Sequence, residues 1–187
     1  TILDQIGWNV EVVDGGYKSF RKHINQFLGR DIENYFLILL TGNTGTAKTK
    51  ILKLMERRNE QTIDLESLAN HKGSVFGSQG QKQPSQKLFE TLIYHKLINL
   101  KTDEPIFVEA ESNKIGNLHI PKELWKLMKS SPQIELSATI EKRAQFLIEE
   151  YSEITTNLVL LEKQIISLSP IVGHKVIESW LKLAKNK

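Results

Sequence analysis

The chain contains no cysteine. That absence excludes disulfides, thiolate metal sites and thiol chemistry carried by the chain itself. It is consistent with a reducing, cytoplasmic setting. Long apolar runs are also missing. None approaches the roughly 20 residues a membrane-crossing helix needs, so no membrane is expected as a partner. The first ten residues, TILDQIGWNV, lack the basic start and apolar stretch of a secretion signal. Charge of one sign is scarce: 25 basic residues against 22 acidic ones leave +3, too little by itself to argue for an anionic partner. No histidine falls at a zinc spacing, and there is neither an internal repeat nor a low-complexity segment.

What is present is enough chain, 187 residues, for one domain with a real core. YKSFRKHINQFL (17–28) repeats apolar groups at helical spacing, through Tyr17, Phe20, Ile24, Phe27 and Leu28. YFLILL (35–40) is a continuous apolar run, the pattern of a strand buried on both faces. Helix, short strand (TIDLE, 62–66), loop (71–84), helix and strand (PIFVEAE, 105–111) follow. In the helix after the loop, capped by Ser85, Leu88, Leu92 and Ile93 are expected to face inward. Pro121 opens another helix and QIELS (133–137) reads as a fourth strand. From Thr139 the pattern is helical throughout, with Ile154, Leu158, Leu161, Ile165 and Leu168 as a packing seam. A last helix starts at Ser169-Pro170. Trp125 and Trp180 sit at core spacing. Strands alternating with helices predict an α/β fold, a P-loop NTPase-like parallel sheet flanked by helices, with a C-terminal helical segment. The expected divisions are 1–16 as linker, 17–138 as the α/β domain and 139–187 as helices packing on it.

GNTGTAKT (42–49) lies between the first strand and the helix after it. It matches the phosphate-binding loop G-x-x-x-x-G-K-S/T except that Ala47 replaces the second glycine. Backbone N–H groups from Gly42, Asn43, Thr44, Gly45, Thr46 and Ala47, with the N-terminus of the following helix, would make an anion site. Lys48 would reach terminal phosphate oxygens, and the Thr49 hydroxyl would ligate Mg²⁺. Ala47 is expected at near-helical angles, where a Cβ is tolerable. Ligands of such sheets bind at the carboxyl ends of the strands. Asp64 and Glu66, after the second strand, and Glu109 and Glu111, after the third, fall there. Each could hold Mg²⁺ through water or act as a base, or be an ordinary solvated acid.

DLESLANHKGSVFG (64–77) resembles the D-L-E-x-L-A-N-H-R/K-G-S-x-F-G signature of the tRNA 2-selenouridine synthase family, and VEAESNKIGNLHIP (108–121) is similar to a second signature. GGYKSFRK (15–22) resembles the segment joining that family's rhodanese domain to its phosphate-loop domain, and GNTGTAKT resembles its G-x-T-G-S-G-K-T. The resemblance implies replacement of sulfur by selenium in the wobble 2-thiouridine of tRNA, through a geranylated intermediate. Geranyl diphosphate and selenophosphate would be substrates, and the loop would seat a diphosphate, with ATP or GTP left open. It implies catalytic roles for Lys48, Asp64, Glu66, His71, Glu109 and Glu111. Arg143 joins them from its place after the fourth strand, where phosphate-loop enzymes often keep an arginine. The family's rhodanese cysteine has no counterpart here, so a fragment, or half of a split enzyme with a separate rhodanese chain, is the expectation.

For tRNA the candidates are Lys18, Arg21, Lys22, Lys72, Ser74, Phe76 and Lys114, as phosphate contacts or as a platform for an unstacked base. Two other functions stay open: a small-molecule or nucleoside kinase, and a non-catalytic tRNA- or nucleotide-binding module that assists a rhodanese partner.

Overall fold

The computed structural model describes residues 2–72, 82–109 and 112–185. In chain order its elements are α1 (Ile2–Gln5), α2 (Gly16–Gly29), a 3-10 turn (Asp31–Asn34), β1 (Leu37–Thr41), α3 (Lys48–Glu56), β2 (Gln61–Ile63) and α4 (Leu65–Leu68). Then come α5 (Gln86–Ile98), β3 (Ile106–Glu109), β4 (Lys114–Ile115), β5 (Leu118–His119), α6 (Lys122–Ser130) and β6 (Gln133–Glu135). The remainder is helical: α7 (Ile140–Glu150), α8 (Ser152–Thr156), α9 (Leu158–Ser167), α10 (Ser169–Val172) and α11 (His174–Lys185).

β1 pairs with β3 and β6, and β3 with β2, all parallel, in the order β2-β3-β1-β6. The predicted parallel sheet flanked by helices is what forms. Register aligns Leu37 with Ile106 and Leu40 with Glu109, so β1 and β3 end level. The apolar runs are buried as expected for central strands: Leu37, Leu39, Ile106 and Val108 enter one large core with Ile24, Leu28, Phe89, Ile93, Leu97, Leu124 and Met128 from α2, α5 and α6. β6 is an edge strand, exposed at all three residues, and its charged and polar ends suit an unpaired edge.

Several local expectations are corrected. α5 turns Phe89, Ile93 and Leu97 inward and leaves Leu88 half exposed, because the i, i+4, i+8 stripe starts one residue later than predicted. Tyr17 is exposed at the start of α2, one turn beyond the reach of the core. The last helix is two, divided at Gly173, whose φ of 82° no ordinary helix residue adopts. The β4–β5 hairpin has no counterpart in the expected pattern; its strands of two residues are too short to show alternation. In the C-terminal segment, Leu161, Ile165, Leu168, Val172, Ile177, Leu181 and Ala184 make a small apolar cluster of their own. Leu158, placed on the same seam by spacing, is exposed. Trp125 packs against the large core, whereas Trp180 stays about a third exposed. Among the described residues no helix is long and apolar enough to cross a membrane.

Candidate phosphate-binding site

The carboxyl ends of the strands deliver Gly42, Asp64, Glu109 and Leu136 to one edge of the sheet. Gly42 is held by its surroundings: a Cβ there would lie 2.3 Å from the Leu136 carbonyl oxygen. Its φ of 138° is also one that L side chains rarely adopt. Gly45 at φ 87° is similarly close to the Arg143 carbonyl and Leu147. Within the loop, Thr46 is buried and its hydroxyl donates to the Asn43 carbonyl at 2.8 Å. Lys48 is also buried, and its Nζ donates to the Gly42 carbonyl at 2.8 Å. The lysine thus folds back over the loop's mouth, within reach of whatever the loop encircles.

Ala47 overturns its expected backbone. It is the N-cap of α3 at φ 62°, ψ 29°, in the left-handed region rather than near right-handed helical angles. The loop must reverse before α3 starts, and glycine is the residue that does this without strain. An alanine there costs on the order of 1–3 kcal/mol. The loop shape survives the substitution; the strain is its consequence. From Ala47 onward α3 is regular, with the Ile51 N–H bonded to the Ala47 carbonyl.

A cavity of about 390 Å³ opens over the loop. Its floor is Thr44, Gly45, Ala47, Lys48 and Thr49; Asp64, Glu66 and Glu109 line it, as do Lys53 and Lys72. Asp64 doubles as the N-cap of α4, accepting from the Ser67 N–H at 2.8 Å, and its other oxygen lies 4.0 Å from Lys53. Glu109 is almost fully buried. The opposite wall is α7, through Phe146, Leu147, Glu150 and then Tyr151. Arg143 anchors this wall: its Nε donates to the Thr44 carbonyl at 2.8 Å. Lys72 closes the other end, paired with Glu150 at 2.9 Å and lying over the Tyr151 ring. Lys50 lies over the ring of Phe146.

The structure therefore gathers Lys48, Thr49, Asp64, Glu66, Glu109 and Lys72 around one cavity, with Arg143 bracing its loop. His71 adjoins the cavity without lining it; its backbone N–H donates to the Glu66 carbonyl, and burial lowers its imidazole pKa below the usual value. Ser74, Phe76 and Glu111 lie outside the described residues. Lys114 is exposed on the β4–β5 hairpin, away from the cavity lining. Arg21 corrects its expected role as a surface contact: its guanidinium is buried and donates to the Lys87 carbonyl, Thr91, Asn25 and Glu90. The α7 wall was not anticipated. Leu147 and Tyr151 have the spacing of a packing face, and periodicity cannot say whether a helix packs on a core or on a cavity.

Mg²⁺ is bound by one or two protein oxygens together with phosphate and water. Thr49 and the three carboxylates around the floor fit that donor set. Among the described residues no group of three or more histidines or acids could hold a metal by itself.

A parallel sheet with a phosphate loop at its carboxyl edge defines a P-loop α/β protein. Within that class, the family model described as the tRNA 2-selenouridine synthase AAA domain matches residues 35–165. The chain is 38% identical over 151 residues to the tRNA 2-selenouridine synthase of Alcanivorax borkumensis, covering 80% of this chain and 41% of that protein. It is 30% identical over 183 residues to that of Cupriavidus pinatubonensis, covering 97% and 48%. The chain belongs to the tRNA 2-selenouridine synthase AAA-domain family, and it spans about two fifths to one half of the length of these curated relatives.

Proposed function

We propose that this chain is the phosphate-loop part of an enzyme that converts 2-thiouridine in tRNA to 2-selenouridine. Its cavity would seat the diphosphate ester that alkylates the sulfur. The family match over the loop and cavity carries the reading, and the two-sided lining supports it. The floor offers Lys48, Thr49 and backbone N–H groups to phosphate, while Phe146, Leu147 and Tyr151 offer apolar surface to an organic chain. Geranyl diphosphate has that division.

In the step assigned to this chain, the thiouridine sulfur attacks the first carbon of the geranyl group and the base gives up its N3 proton to water. The C–O bond breaks and diphosphate leaves with its electron pair. Lys48 and the N–H groups at the start of α3 neutralise charge that grows on the leaving oxygens, stabilisation that costs no reorganisation at the moment of reaction. Mg²⁺ bound through Thr49 would share that charge. Arg143 acts as a positioning residue through Thr44. The selenium step, with selenophosphate as donor, would use a thiol on a rhodanese domain or chain.

The test is mass spectrometry of nucleosides from 2-thiouridine-bearing tRNA incubated with this chain, geranyl diphosphate and Mg²⁺. A geranylated thiouridine is expected. Binding of tRNA without an adduct, even with a rhodanese partner added, would leave a binding module. Turnover of ATP with no adduct would favour a kinase.

A further inference from the structure

We propose that a groove on the outer face of α2, which shares no lining residue with the cavity over the phosphate loop, is a track for the phosphate backbone of the RNA substrate. The proposal rests on the reading of the chain as part of an RNA-modifying enzyme. The groove is shallow and open, with a volume of about 650 Å³, and Lys18, Lys22 and Arg30 line it from α2 and its C-cap, together with Lys87 from α5. All four are exposed. Among the described residues no carboxylate lines the groove.

The state of these four side chains separates them from many other cations of the chain. Lys53, Lys72, Lys96, Lys101, Lys126 and Lys185 each face a carboxylate within 4.0 Å. Among the described residues, Lys18, Lys22, Arg30 and Lys87 have no side-chain ion pair or hydrogen bond. Four like charges gathered on one groove repel one another, and among the described residues no partner offsets that cost.

Arg21 explains how the groove keeps its shape. It sits at the base, and its bonds to the Lys87 carbonyl, Thr91 and Glu90 tie α2 to α5. The guanidinium that sequence pattern offers to RNA instead sets the spacing between the two helices that carry the free cations. Lys18 to Arg30 spans roughly 18 Å at 1.5 Å per residue, enough for several successive phosphates of one strand. Tyr17, 65% exposed at the groove's edge, adds a ring on which an unpaired base can stack. A row of cations along one helix with an exposed aromatic ring at its margin suits a nucleic-acid strand, whose phosphates and bases both find a partner there.

The experiment measures binding of a tRNA transcript across a salt series, for the wild-type chain and for K18Q/K22Q/R30Q/K87Q. Each lost phosphate contact flattens the salt slope by about one, so a change of three to four is expected. With it goes a roughly 10- to 100-fold loss of affinity. Affinity for inorganic diphosphate should be unchanged, which checks that the variant is folded, and K18R/K22R/K87R should bind tRNA like the wild type. If the wild type binds tRNA and the glutamine variant binds it with the same slope, the groove assignment fails and the proposed function stands. If the wild type binds diphosphate but no tRNA at any salt, both fail. If the substitutions abolish binding to phosphatidylserine vesicles and leave tRNA binding intact, the groove belongs to a membrane and the proposal is overturned.

Discussion

Two cationic regions of this molecule are built on opposite rules. In the cavity over the phosphate loop, cations are answered. Lys48 bonds the Gly42 carbonyl, Lys53 faces Asp64, Lys72 pairs with Glu150, and Lys50 lies over Phe146. In the groove on α2, four cations are left unanswered and the one that is satisfied, Arg21, is structural. The difference teaches what each can hold. A compensated cavity holds its side chains in fixed places and orients one small anion with little long-range field. An uncompensated groove is a poor orienter but a strong attractor, and its affinity is salt-dependent.

The sharpest way to separate the regions is Lys48→Ala. Loss of a charge-assisted donor at the loop's mouth should remove measurable diphosphate binding, on the order of 3 kcal/mol or more. The fold should persist, and the tRNA salt slope should not move. Titration calorimetry with inorganic diphosphate and the tRNA salt series check the two halves. Unchanged diphosphate affinity would remove the loop from the mechanism, and a change in tRNA slope would mean that the regions are not independent.

A smaller effect is expected at Ala47. Because it caps α3 at φ 62°, Ala47→Gly should relieve strain and raise stability by up to about 1 kcal/mol, the larger conformational freedom of unfolded glycine offsetting part of the gain. Thermal unfolding reads it. Diphosphate affinity should stay within about tenfold, under 1.4 kcal/mol. A larger rise would mean that the methyl group presses on the bound phosphate, and that the cavity is less well fitted than its paired charges suggest.

Glu150→Gln tests compensation directly. The Lys72–Glu150 pair is exposed on both sides, so its loss should cost less than about 1 kcal/mol of stability. Freed of its partner, Lys72 should draw diphosphate more strongly, measurably at low salt. An affinity that falls would show that the pair shapes the cavity and does more than balance its charge.

These two regions were not equally legible in the sequence. The loop and the sheet were, because GNTGTAKT and the apolar runs of β1 and β3 are local patterns with one physical solution. The left-handed backbone at Ala47 was not, since it depends on how the chain must turn into α3, and the spelling with alanine hides it. The Phe146–Tyr151 wall was hidden for another reason: an apolar helix face looks the same on a core as on a cavity. Arg21 and its neighbours Lys18 and Lys22 are alike by composition, and the contacts of Arg21 with Lys87, Glu90 and Thr91, 66 to 70 positions along the chain, separate the structural cation from the free ones.

The last and smallest effect concerns His71, and it bears on the cavity side alone, for among the described residues no histidine lines the groove. Burial lowers the His71 pKa below its ordinary 6.5, so the folded chain resists the proton that the unfolded chain accepts. Where the unfolded state binds more protons, stability rises with pH. The contribution is therefore complete above about 6.5 and is lost as pH falls through that value towards the lower pKa of the folded state. Wild type and His71→Gln, melted between about pH 7.5 and 5, should run parallel at the upper end and converge at the lower, the wild type losing the more. The charged imidazole would also stand one residue from Lys72 and add a second cation to that end of the cavity. Diphosphate affinity at acid pH should then rise in the wild type beyond its rise in His71→Gln, while the groove's salt slope stays the same in both. Melting curves that stay parallel throughout would show that His71 is as well solvated folded as unfolded, and would remove it from the cavity's pH response.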